Sequence, residues 1–145
     1  MAIFVLIHGA GDAGWYWHLT EAELHARGHQ TIAPDLPCDN GTASLDDYAG
    51  TVVGAAAGRP DLVIVGQSYG AFTATSAASR LPARLLVLLA GMIPAPGESP
   101  GQWWASTGYR QAGLPASMAR HQHSGGARCG REEDCGPRWA ARFMR

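Results

Sequence analysis

The chain has 145 residues, with eleven basic and twelve acidic side chains, three cysteines and a formal net charge of −1. That length suits one domain with a real core, and the near-neutral charge excludes a strongly basic surface for nucleic acid or other polyanions. Cys38, Cys129 and Cys135 are odd in number and irregularly spaced, which fits no disulfide framework and points to a reducing compartment, the cytoplasm.

Residues 1–7 are apolar but lack a basic leader and run directly into His8-Gly9, so they do not read as a secretory signal. No apolar run approaches the ~20 residues of a membrane span. Neither a membrane nor a nucleic acid is expected as a partner, and no cofactor is implied.

Four short apolar runs follow one another: residues 3–7, 31–33 leading into Pro34-Asp35, 62–65 and 85–89. Three are nearly unbroken Val, Ile and Leu, as expected of strands covered on both faces. Between them lie segments of helical habit. Residues 20–27 set Leu24 and Ala26, with Leu19 just before, among charged residues, and Gly28 follows as a stop. Ser44 with Asp47 three residues later resembles a capping box, and opens an Ala-rich stretch that ends near Gly58 and Pro60. Residues 69–80 form a third small-residue segment, closed by Pro82. This alternation of strand and helix is the grammar of a doubly wound parallel α/β sheet.

Gly66-Gln67-Ser68-Tyr69-Gly70 falls where the third strand meets the third helix, the context of a nucleophile elbow. A serine on so tight a turn adopts strained backbone angles, and glycines two residues either side avoid collisions with neighbouring elements. The helix behind it directs its free N–H groups and positive dipole end toward a developing anion. Ser68 is the candidate nucleophile. His8-Gly9-Ala10-Gly11, directly after the first strand, is the candidate partner loop. Acyl transfer builds charge on a carbonyl oxygen, which backbone N–H donors stabilise. Those of Ala10 and Tyr69 are the candidates. His8 is read as orienting this loop rather than as a general base. Trp15 and Trp17 are read as packing residues rather than a substrate entrance.

Residues 3 to about 107 resemble the α/β-hydrolase superfamily, most closely the small esterases that include plant methyl esterases and hydroxynitrile lyases. The stretches that carry the resemblance are Phe4-Val5-Leu6-Ile7-His8-Gly9-Ala10, Gly14-Trp15-Tyr16-Trp17, Ala26-Arg27-Gly28-His29, Ala33-Pro34-Asp35-Leu36-Pro37, Ser44-Leu45-Asp46-Asp47-Tyr48-Ala49, the elbow, and Pro94-Ala95-Pro96-Gly97-Glu98. Departures are Asp12 where relatives often carry His, Gln67 in place of a commoner His, and Ala71 in place of a frequent Gly. The resemblance implies an incomplete α/β-hydrolase sheet of about four parallel strands with flanking helices, and a small-molecule ester or acyl substrate. It leaves hydrolysis and cyanohydrin cleavage both open. It also places the first and third strands side by side where the winding reverses, so that Ser68 and Ala10 face one crevice.

A serine needs a base to take its proton and a third group to orient that base. The family order is serine, acid, histidine, on loops after later strands. Those strands are not legible. Residues 94–145 contain no Val or Ile and a single Leu, Leu114, while seven of the eleven arginines lie beyond residue 108. Gln102-Trp103-Trp104 still resembles the start of a helical cap, and the likeness stops near Tyr109. The expected organisation is therefore residues 1–108 as the N-terminal part of the hydrolase domain and 109–145 as an irregular C-terminal tail produced by truncation or a shifted frame.

The triad acid and histidine stay unassigned. His121 and His123, with Glu132, Glu133 and Asp134, lack the family's surroundings. The same histidines with Cys129 and Cys135 are too widely spaced to read as a zinc site. The competing reading is a non-catalytic fragment. With no further strand beside it, the run at 85–89 is an exposed apolar edge, and self-association through it is expected.

Overall fold

The computed structural model describes residues 1–108. Its backbone divides into two compact units between Ile93 and Pro94. The first unit holds four strands, β1 (Ile3–Ile7), β2 (Gln30–Ile32), β3 (Leu62–Gln67) and β4 (Ala83–Leu89). They form one sheet in the order β2-β1-β3-β4, and every neighbouring pair is parallel. A 3₁₀ turn over Gly14–Trp17 leads into α1 (His18–Ala26); α2 (Leu45–Ala55) and α3 (Gly70–Ala78) make the other crossovers. This is the doubly wound α/β arrangement expected from the sequence. The chain winds outward from β1 to β2, returns to the far side of β1 as β3, and continues to β4. The reversal lies between β1 and β3, whose residues pair from Ile3 with Leu62 to Ile7 with Gly66.

Local sequence explains the boundaries. Gly28 takes φ +76°, and its N–H bonds the His25 carbonyl at 2.9 Å while that of His29 bonds Leu24 at 3.0 Å, closing α1. At the start of α2 the Asp47 N–H donates to Ser44 Oγ at 3.2 Å, and the Ser44 N–H donates to the Asp47 carboxylate at 2.8 Å, a complete capping box. β-branched and aliphatic side chains fill β1 and β3. Val5, Leu6 and Ile7 from one, and Leu62, Val63 and Ile64 from the other, are buried, as are Val52 of α2 and Phe72, Ala74 and Ala77 of α3. Each large side chain buried fully here contributes about 1.5–3 kcal/mol, so the two central strands anchor the core on which the site rests.

Two expectations need correction, and the exposure of α1 is a further finding. The second strand occupies 30–32 rather than 31–33. α1 buries none of its residues, and Leu19 is 70% exposed, because the helix lies beside the short edge strand β2 instead of over the sheet centre. β4 is not covered on both faces. Leu85, Val87 and Leu89, which alternation puts on one face, are 51%, 36% and 50% exposed, and among the described residues β4 pairs with β3 alone.

The second unit, over its described residues, consists of a turn and α4 (Pro100–Ser106), capped by Ser99 and Gln102 in a second capping box. The Glu98 carboxylate accepts from the Ala95 N–H at 2.9 Å and the Ser106 hydroxyl at 2.7 Å, which holds its pKa below the usual range. No helix among the described residues is long and apolar enough to cross a membrane.

Candidate active site

β3 ends at Gln67 and α3 begins at Gly70, leaving Ser68 on the turn with φ +52°. A left-handed conformation costs an L-residue about 1–2 kcal/mol and persists only where its surroundings over-determine it. Here they do. The Ser68 N–H donates to the Leu89 carbonyl at the end of β4 at 3.0 Å, and the Ser68 carbonyl accepts from the N–H groups of Ala71 and Met92, each at 3.1 Å.

The flanking glycines are demanded by close approach. A Cβ on Gly66 would lie 2.6 Å from the Ala74 Cβ, and one on Gly70 would lie 2.3 Å from the His8 carbonyl oxygen. α3 can sit this near the carboxyl ends of β1 and β3 only because both residues lack a side chain.

The loop after β1 lies against this elbow. A Cβ on Gly9 would fall 3.4 Å from the Ser68 Cβ and 2.5 Å from the Gln67 Oε1, so the Ser68 side chain stands at the residue 9–11 loop as the motif order requires. His8 is fully buried, and both its ring nitrogens are occupied. Nδ1–H donates to the Gly9 carbonyl at 2.8 Å, and Nε2 accepts from the Leu36 N–H at 3.2 Å. That pattern fixes the tautomer and leaves no lone pair for a serine proton, so His8 orients the loop. Among the described residues the Ala10 N–H meets no acceptor.

Four side chains near this loop, those of Cys38, Tyr48, Tyr69 and Asp12, carry no chemistry that sequence reasoning assigned. Burial pushes the Cys38 thiol's pKa up, against the opposing pull of the nearby Tyr48 hydroxyl and Gly11 N–H. A thiol so held is protonated at neutral pH and is a poor nucleophile. Burial, then the neighbouring Cys38, raises the Tyr48 hydroxyl well above its ordinary value, and burial pushes Tyr69 up to about 12. Burial raises the Asp12 carboxyl above its ordinary value. Tyr48 sits inside the matched motif at residues 44–49, but nothing in its spacing marks it; Cys38 has no sequence signal at all.

The remaining described histidines lie elsewhere. His29 Nδ1 accepts the Ala2 N–H at 3.2 Å, at the amino end of β1 and so opposite the crevice. His25 Nε2 pairs with Thr31 Oγ1 at 2.8 Å, and His18 stacks on Trp15 with ring centroids 4.1 Å apart. Thus no described histidine meets Ser68. His121, His123, Glu132, Glu133, Asp134, Cys129 and Cys135 lie outside the described residues. The two tryptophans divide: Trp17 is 3% exposed and packs as expected, whereas Trp15 is 61% exposed and stacks on His18 instead of the sheet.

A doubly wound sheet with a serine in the left-handed region between strand and helix, at the switch between β1 and β3, defines the α/β-hydrolase architecture. The model of the alpha/beta hydrolase family matches residues 4–145, and the chain belongs to that family. It is 34% identical over 110 residues to the probable esterase PIR7A of Oryza sativa subsp. indica, covering 68% of this chain and 42% of the relative. It is 34% identical over 112 residues to the carbendazim hydrolyzing esterase of a Nocardioides species, covering 68% and 46%. The chain thus spans under half the length of these relatives. Among solved structures, polyneuridine aldehyde esterase superposes with a TM-score of 0.66 at 22% identity, covering 97% of this chain and 60% of that one, a likeness of fold.

Proposed function

We propose that this chain carries the nucleophile and oxyanion-binding half of a serine hydrolase that cleaves a small ester or related acyl compound. One observation carries the reading: Ser68 is held at φ +52° on a strand-to-helix turn beside the residue 9–11 loop. In the proposed reaction the Ser68 Oγ attacks the carbonyl carbon as its proton passes to a base, and the carbonyl oxygen becomes an anion held by the N–H groups of Ala10 and Tyr69. Collapse expels the alcohol and leaves an acyl-serine, which water then hydrolyses. Each well-placed donor lowers the barrier by about 2.7–4 kcal/mol. No described histidine meets Ser68, and the base and its orienting acid stay unassigned. The esterase names of the relatives support the substrate class, and the free Cys38 suits a reducing, cytoplasmic setting.

A second reading, binding without turnover, draws on the placement of the four described histidines, none of which reaches Ser68. The two readings separate in a p-nitrophenyl acetate assay. Ser68-dependent turnover, lost in Ser68→Ala while the variant keeps its circular dichroism spectrum, supports the hydrolase. Equal rates in folded wild type and Ser68→Ala refute it.

A further inference from the structure

The loop that would supply the Ala10 donor is fastened to the segment after β2 at its start and at its end. At its start, His8 Nε2 accepts the Leu36 N–H at 3.2 Å. In its middle, Gly11 turns with φ +75°. At its end, the Gly14 N–H donates to Asp35 Oδ1 at 2.7 Å, with Gly14 so close to the chain that a Cβ there would lie 2.2 Å from the Ala33 carbonyl oxygen. Both hydrogen-bond partners, Asp35 and Leu36, are adjacent in the chain, and they hold the stretch 8–14 much as a strap holds a hinge.

We propose that Asp35 is a positioning residue for oxyanion stabilisation: its carboxylate, by holding the Gly14 N–H, fixes where the Ala10 N–H points. The proposal rests on the reading of Ser68 as nucleophile. It deepens that reading by moving part of the control of the oxyanion site onto the segment after a different strand. The physical reason is leverage. Gly9, Ala10 and Gly11 have no side chain beyond a methyl, so the donor loop cannot anchor itself and takes its position from contacts at its ends. The 2.7 Å hydrogen bond from the Gly14 N–H to Asp35 Oδ1 is the shorter of those contacts, and misplacing a catalytic group by ~1 Å costs on the order of 100-fold in rate.

The test compares Asp35→Ala, Asp35→Asn and Asp35→Glu with wild type. One readout is the rate of Ser68 labelling by a fluorophosphonate, resolved into its maximal rate and half-saturating concentration. The other is amide hydrogen exchange over residues 9–14. Asn keeps an acceptor oxygen at the same reach; Ala removes it; Glu keeps the charge but displaces it. The proposal expects the maximal labelling rate to fall ~10–100-fold in Asp35→Ala with half-saturation unchanged. It expects Asp35→Asn to stay within about threefold of wild type and Asp35→Glu to fall between, with exchange at 9–14 rising in the same order.

Labelling and exchange equal to wild type in Asp35→Ala overturn the proposal. So does Asp35→Asn behaving like Asp35→Ala, since the role would then be the charge and not the acceptor. If Asp35→Ala does not fold, Asp35→Asn against Asp35→Glu decides in the same way. If wild type takes no Ser68-dependent label, the hydrolase reading fails by itself. Exchange then decides the strap: faster exchange at 9–14 in Asp35→Ala supports it, and unchanged exchange overturns it.

Discussion

Gly70→Ala tests the close approach of α3 to β1 that the elbow depends on. The added methyl carbon would stand 2.3 Å from the His8 carbonyl oxygen and 2.9 Å from that of Ile7. A carbon normally keeps about 3.3–3.6 Å from a carbonyl oxygen, so helix or strand must shift by about 1 Å. Both obstacles are backbone atoms and cannot rotate aside. Overpacking typically costs about 1–3 kcal/mol, and immovable neighbours put this site at the upper end.

Gly54→Ala in α2 is the matched control, because nothing lies within 4 Å of its added methyl. There the substitution removes the glycine penalty of roughly 0.5–1 kcal/mol. Both changes restrict the unfolded chain alike, so their difference reports native packing. In thermal unfolding followed by circular dichroism, Gly54→Ala should raise the midpoint by about 2–8 °C, and Gly70→Ala should lower it by about 10–20 °C, at ~4–8 °C per kcal/mol for a domain of this size. Ser68 reactivity should fall about 100-fold in whatever fraction of Gly70→Ala folds. Equal midpoints for the two variants would refute the claim that Gly70 is glycine for want of space.

Ser44→Ala should cost about 1 kcal/mol through loss of the α2 cap, read as a lower urea midpoint. Asp47 has a pKa lowered by the Ser44 hydroxyl and N–H, so its folded value lies below the unfolded value of about 3.9. Its stabilisation is therefore full above about pH 4 and is lost as the pH falls through the folded value. The midpoint difference between wild type and Asp47→Asn should shrink from pH 6 toward pH 2, and a difference that grows would reverse the sign. The open edge and apolar face of β4 should drive association between copies of the chain. Sedimentation velocity should show oligomers for wild type and monomer for Val87→Lys, whereas a sharp wild-type monomer at tens of micromolar would contradict it.

The sheet was legible because runs such as Ile3-Phe4-Val5-Leu6-Ile7 have only one comfortable environment, buried and extended. The elbow was legible because Gly66 and Gly70 record steric demands in residue identity. Where the sequence misled, the signal was local and the cause was not. The 85–89 run is as apolar as β3, yet position at the sheet edge leaves its Leu85–Val87–Leu89 face open. α1 was legible as a helix but its packing was not, because it lies beside a three-residue edge strand that offers little to pack against. Asp35 and Cys38 could not be read at all as neighbours of the Ala10 loop. Asp35 meets a backbone N–H 21 residues away, which carries no side-chain signature, and Cys38 comes near Gly11 only through the fold.

The central claim is that Ser68 is a nucleophile, and the most direct measurement is the site of covalent capture. The folded protein is incubated with a fluorophosphonate, digested and mapped by mass spectrometry. The account predicts one phosphonylated residue, Ser68, in the peptide spanning β3 and α3, with no adduct in Ser68→Ala. A folded wild-type protein that stays unmodified, or that is modified equally at other serines, would contradict it.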